Sequence, residues 1–374
     1  MTVRVAFLGD TLLGGEAHDV LQACGYDHAL GALEPLLSGA DLVVANHEGP
    51  LTTRSQPDAK LVTGKKRYWY KADPGSVDAM VQAGVGVVSL ANNHVCDFGA
   101  EGLADTIANL EQAGIAHCGA GPDDARARRP AIVDIGGLRI GFLSVMQRYH
   151  LYIQEGTYAT ASCPGPARLR LTRIRDDIAA LRERVDLCVV LVHWGRNYLA
   201  VTPRQQRLAH EMVIAGAQLV VGHHPHIPQR IEVLGNTPVL YSLGNGALGT
   251  PGRFHSGRPP YGLIAIADIT KGHVARVHLR AIHVDNAAVQ YRPTPADDHQ
   301  SSNLLHSLIP ADINRTTSRG GVTIEIPRGA PRTATSPPGT SPTRGSPYDG
   351  RCFDVVTSNP EQCDAPLLTP LRKL

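Results

Sequence analysis

Leu219-Val220-Val221-Gly222-His223-His224-Pro225-His226 is an apolar run that ends in three histidines within four residues. The run has the length and β-branched composition of a strand buried on both faces. Packing gives no reason for three imidazoles just beyond its end, whereas metal ligation does. The same arrangement recurs upstream. Phe7-Leu8 leads into Gly9-Asp10, and Val43-Val44-Ala45 into Asn46-His47-Glu48. Ser89-Leu90-Ala91 leads into Asn92-Asn93-His94 and Asp97, and Val190-Leu191-Val192 into His193-Trp194-Gly195. Taken singly, Asp10 reads as a helix cap, Asn92-Asn93 as a turn and His193 as a buried core histidine. Taken together, the strand ends spell a rim of Asp, Glu, Asn and His, placed where layered α/β folds bind ligands.

Between these runs lie helical patterns. Pro74–Ala83 opens on a proline suited to a first turn, Gly99–Ala113 carries Leu103, Ile107 and Leu110 at helical spacing, and Leu169–Val185 and Pro203–Ala215 are amphipathic. Three pairs of runs read as hairpins: 131–135 with 138–145 around Gly136-Gly137, 230–234 with 238–242 around Gly235-Asn236, and 262–269 with 273–284 around Lys271-Gly272. Strands alternating with helices, interrupted by hairpins, predict an α/β fold with two packed sheets between helical layers.

Composition removes several function classes. The chain has 374 residues, 43% of them hydrophobic, and a formal net charge of +2, so no global field draws it to nucleic acid or an anionic membrane. The basic stretch Gly64-Lys65-Lys66-Arg67 reads as a solvated turn. Seven cysteines without CxxC spacing suit a reducing compartment better than a disulfide framework. No signal peptide is recognisable at the N-terminus, and no apolar run approaches the roughly 20 residues of a membrane span. A cytoplasmic protein is therefore expected. The Pro-, Ser- and Thr-rich composition of 329–348 predicts a catalytic domain over 1–291 and a largely disordered tail over 292–374, in which Cys352 and Cys363 are free thiols.

The order Gly9-Asp10, Asn46-x-Glu48, Asn92-Asn93-His94-x-x-Asp97-x-Gly99, His193-Trp194-Gly195, Gly222-His223-His224-Pro225-His226 and Tyr241-Ser242-Leu243-Gly244-Asn245 resembles CapA-like proteins of poly-γ-glutamate capsule synthesis, which are similar to calcineurin-like metallophosphatases. The resemblance covers residues 3 to 290. It implies a four-layer αββα sandwich with a metal centre between the sheets. Carried over position by position, it implies Asp10, Glu48, Asn93, His193, His224 and His226 as metal ligands, with His94 over the reacting group and oriented by Asp97. The sequence departs from the pattern in three places. Asp10-Thr11-Leu12 lacks the histidine of Asp-x-His, Asn46-His47-Glu48 stands where Gly-Asp-x-x-Asp is usual, and Asn197 replaces a common glutamate. Extracellular capsule members also carry an N-terminal membrane anchor, which is not expected here.

The thinned ligand set and surplus of histidines point to acid/base chemistry, with His94, Asp97, His193 and His223 as catalytic groups. Asn46, Trp194, Arg196 and Asn245 are expected to contact substrate. The resemblance extends to soluble epimerases of lasso-peptide biosynthesis. It thus implies metal-dependent inversion at the Cα of the C-terminal residue, tryptophan in the implied case, of a ribosomal precursor peptide. The alternatives are a metal-dependent phosphoester or amide hydrolase of the CapA type, and a non-catalytic capsule-assembly module. The cofactor expected is a divalent ion (Mn, Zn, Fe or Ca) with no organic group, and the partner is a peptide, with no nucleic acid and no membrane.

Overall fold

The computed structural model describes residues 2–59, 68–252, 254–255, 258 and 260–328. The basic stretch 64–67, Cys352 and Cys363 lie outside them. Two sheets dominate. The larger has ten strands. It runs in the order Arg315–Ser318, Gly321–Glu325, His273–His283, Tyr261–Thr270, Val3–Leu12, Leu42–His47, Val85–Ser89 and Ala116–Cys118, with Asn245–Leu248 also paired to Val3–Leu12 and Thr294–Pro295 to His273–His283. The six-stranded sheet runs Ile231–Leu234, Thr237–Leu240, Leu219–His223, Leu187–His193, Leu138–Met146 and Ala131–Ile135. In each sheet the strands that end in polar clusters are parallel neighbours, Val3–Leu12 with Leu42–His47 and Val85–Ser89, and Leu187–His193 with Leu219–His223.

Side-chain alternation sorts the core into layers. Val3, Val5 and Phe7 share one buried cluster with Leu187, Val189, Leu191, Leu219 and Val221, so the two sheets pack face to face. Ala6, Leu8, Val43 and Ala45 point the other way, onto Leu21, Leu37, Met80, Leu103 and Leu110 of the first helical layer. Cys188, Val190 and Val192 meet Ile174, Ile178, Leu208 and Met212 of the helices Leu171–Arg182 and Pro203–Ile214. The order is helix, sheet, sheet, helix, as expected. The Pro203–Ile214 helix starts where the sequence signals it, with Pro203 in the first turn and Thr202 and Gln205 forming a reciprocal cap.

The boundary expected at residue 291 needs correction. The helix Asp298–Leu308 and the strand Gly321–Glu325 belong to the sandwich. Leu304, Leu305, Leu308, Ile309, Val322, Ile324 and Ile326 enter the inter-sheet core, and the strand pairs with His273–His283. Of the expected tail, 329–374 lies outside the described residues.

Two glycines let the site close. A Cβ on Gly9 would overlap the carbonyl oxygen of Gly244, and one on Gly222 that of Tyr241. Both glycines lie in site strands, each next to a site residue, and face the segment 241–245. Their lack of a side chain lets that segment lie against both sheets, with Asp10 N–H donating to Gly244 O at 3.0 Å.

Candidate metal centre

The centre lies between the carboxyl ends of the two sheets. Strand register places Asn46 and Asn245 on either side of Asp10 in the larger sheet, and His193 beside His223 in the smaller one. Asp10 is fully buried. It accepts from Asn46 Nδ2 at 2.9 Å and from the His224 N–H at 3.2 Å, and His226 Nδ1 lies 3.2 Å from it. Burial alone would push the Asp10 carboxyl up, but the hydrogen bond and charge of His226, with His223 and His224, hold it below its ordinary value. Glu48 is also fully buried, and its Oε1 lies 3.9 Å from His193 Nε2 and 4.0 Å from His226 Nε2.

Glu48, His224 and His226 each present a ligand atom, all within 4.8 Å of one another. Several observations fit this set, with Asn93 and His193 beside it, to a divalent cation. His224 and His226 have φ of 96° and 59°. A bulky side chain in that region costs of order 1–3 kcal/mol and persists where function demands it. Burial depresses the His193 imidazole well below its ordinary pKa and that of His224 to about 3, so both present lone pairs rather than charge. Asn93 Oδ1, His193 Nε2 and His224 Nδ1 crowd together, the first two 2.7 Å and the last two 3.0 Å apart. A proton on His193 Nε2 must be shared between two acceptors, whereas a cation draws on all three lone pairs. His226 behaves differently. Burial opposes its charge, but Glu48, Asp10 and Asn245 outweigh burial and raise it to about 9, so a metal must displace a proton there.

Beside this cluster stands a dyad. His94 Nδ1 lies 2.8 Å from Asp97 Oδ2. A carboxylate only accepts, so Nδ1 carries the proton and Asp97 fixes the tautomer of the ring. Asp97 is fully buried and His94 nearly so.

The match to the bacterial capsule synthesis protein PGA_cap runs over residues 4–249, from the first strand through Asn245. The chain belongs to this family. Among PGA_cap relatives, the capsule biosynthesis protein CapA of Bacillus anthracis is 30% identical over 65% of this chain and 59% of its own length. A probable polyglutamine synthesis accessory protein of Mycobacterium tuberculosis is 32% identical over 59% of this chain and 58% of its own. The PGA biosynthesis protein CapA of Bacillus subtilis is 29% identical over 65% and 62%. The chain thus spans about three fifths of the length of these curated relatives. The crystal structure of a hypothetical protein from Thermus thermophilus aligns over 79% of this chain and 98% of its own, at TM-score 0.43 and 23% identity.

The PGA_cap fold does not bring every expected residue into the centre. Trp194 is a correction. It is fully buried, stacks on Tyr241 with ring centroids 5.7 Å apart, and donates from Nε1 to Tyr241 O at 2.8 Å. It is a core side chain with its polar atom satisfied, so it offers nothing to substrate. His223, expected as a base, has Nε2 3.2 Å from Leu8 O and thereby ties the two sheets together. Strand alternation gives His47 the orientation of Val43 and Ala45, toward the helical layer. Burial holds its pKa at about 4, and neither ring nitrogen has a hydrogen-bond partner among the described residues. Asn46 and Asn245, expected at substrate, instead hold Asp10 and His226. Arg196 is exposed on the following loop.

Sequence reasoning missed the tyrosines. Tyr70 stacks on His94, Tyr149 tilts against His224 at 5.3 Å, and Tyr198 against His226 at 5.8 Å. They come from loops with no periodic pattern, so only the assembled fold shows that each covers a different histidine. Among the described residues no helix is long and apolar enough to cross a membrane.

Proposed function

We propose that this PGA_cap protein is a metal-dependent hydrolase acting on an amide-linked glutamate polymer. The observation that carries this reading is the convergence of Glu48, His224 and His226 beside the His94–Asp97 dyad. A divalent ion held by those three residues supplies a Lewis acid and lowers the pKa of water at the site. Two imidazoles among three donors favour Zn, Mn or Fe over calcium. The protein's own groups do the rest. Asp10 braces His226 from the side away from Glu48, and Asn245 accepts at the same ring nitrogen. Asp97 fixes the tautomer of His94, whose Nε2 takes a proton from the attacking water and passes it to the departing nitrogen as the C–N bond breaks. Polyglutamine and capsule synthesis in the names of the relatives favour an amide over a phosphoester. Those names also favour this reading over the inversion at Cα expected from resemblance to lasso-peptide epimerases.

The test is mass spectrometry of the metal-loaded enzyme with γ-linked and α-linked oligoglutamates, run beside a generic phosphomonoester. Cleavage with uptake of one water, lost in His94→Ala while bound metal stays, is the expected result. Phosphomonoester turnover with both oligoglutamates intact would make it a phosphoesterase. Solvent deuterium entering an uncut peptide would restore inversion.

A further inference from the structure

Tyr70 meets the His94–Asp97 dyad in two ways. Its ring lies on the His94 imidazole with centroids 4.0 Å apart and planes inclined by 29°. Its main-chain N–H donates to Asp97 Oδ2 at 2.8 Å, the same oxygen that accepts from His94 Nδ1 at 2.8 Å. One carboxylate oxygen has lone pairs for both donors. The main chain at residue 70 therefore orients the acid, and the side chain orients the base.

Residue 70 is held firmly enough to serve this way. Ala72 forms bridges with Gly14 and Leu51, and its N–H donates to Pro50 O at 2.9 Å. On the far side, Asp58 N–H donates to Asp97 O at 2.9 Å. The chain just after Tyr70 is thus fastened to the sandwich. A turn of the His94 imidazole about Cβ–Cγ breaks the bond to Asp97 and carries Nε2 out of line. An aromatic face resists that turn, because the stacked arrangement is lost once the planes tilt apart.

We infer that Tyr70 is a positioning residue: its ring, laid on His94, keeps the imidazole bonded to Asp97 and its Nε2 aimed into the cleft. The role rests on the proposed function only in its kinetic consequence, since the orientation of His94 exists whatever the reaction. A substitution that keeps the ring, Tyr70→Phe, preserves it, and one that removes the ring, Tyr70→Leu, does not. The main-chain bond to Asp97 survives in both.

The experiment is proton–nitrogen NMR of the full-length, metal-loaded protein labelled at histidine. The His94 Nδ1–H signal is assigned by its loss in His94→Gln. Wild type and Tyr70→Phe should show this proton protected from solvent exchange. In Tyr70→Leu its exchange should quicken by up to about tenfold, the shift that loss of an aromatic pair allows, with metal content unchanged. Turnover, where a substrate is in hand, should fall in kcat and leave KM in place. Should Tyr70→Leu fail to fold, Tyr70→Met fills similar volume without a ring face and is read the same way. A ring-less variant with wild-type exchange would overturn the inference, as would loss of the signal in Tyr70→Phe. Neither result bears on whether the enzyme is a hydrolase.

Discussion

Glu48→Gln, His224→Ala and His226→Ala should each weaken divalent-metal binding by more than the roughly 10–100-fold expected on loss of an outer hydrogen-bond partner. Each removes a donor atom from the triad whose ligand atoms lie within 4.8 Å of one another. Glu48→Gln keeps the shape of the side chain but removes an anionic donor, so it isolates charge from packing. His224→Ala removes a neutral donor whose pKa burial has already pushed to about 3. His226→Ala has a second consequence, because Asp10 loses its closest ionisable partner while still fully buried. A carboxylate stranded this way is costly, so this variant should also melt at the lowest temperature of the three. Titration calorimetry with zinc and manganese, alongside thermal melts, checks both parts. Wild-type affinity in all three variants would place the metal elsewhere.

Removing everything after residue 291 should prevent folding. Leu304, Leu305, Leu308, Ile309, Val322, Ile324 and Ile326 are buried in the inter-sheet core, and burial of such a side chain is worth about 1.5–3 kcal/mol. Their sum rivals the whole stability of a typical domain, about 5–15 kcal/mol. Truncation would also expose the edge of the His273–His283 strand, which pairs with Gly321–Glu325, and bare edges aggregate. A chain ending at 291 that is soluble and shows a cooperative melt would contradict this account of the core.

The layers of the sandwich were legible because each site strand is apolar on consecutive residues and ends in a polar cluster. Leu187–His193 and Leu219–His223 carry that signal in full. The segment after 291 was not legible. The helix Asp298–Leu308 is mostly polar, and Arg315–Ser318 has no apolar residue at all. The helix owes its place to three leucines buried in the inter-sheet core and the strand to pairing at a sheet edge, and both leave little local trace. The alternation of Val322, Ile324 and Ile326 was a readable sign of a strand, outweighed by the Pro-, Ser- and Thr-rich composition of 329–348. In the site, residue types identified the histidines and carboxylates but not their directions. Trp194 and His223 lie next to site residues in sequence, yet one points into the core and the other to a main-chain carbonyl. Strand alternation alone sets His47 and Asn46 on opposite faces.

The central claim is that Glu48, His224 and His226 hold a divalent ion. Anomalous diffraction from crystals grown with manganese or zinc tests it most directly. A single strong peak within bonding distance of Glu48 Oε1 or Oε2 and of one ring nitrogen each of His224 and His226 is the predicted result. An anomalous map with no peak at this triad, from crystals whose metal content is stoichiometric, would contradict it.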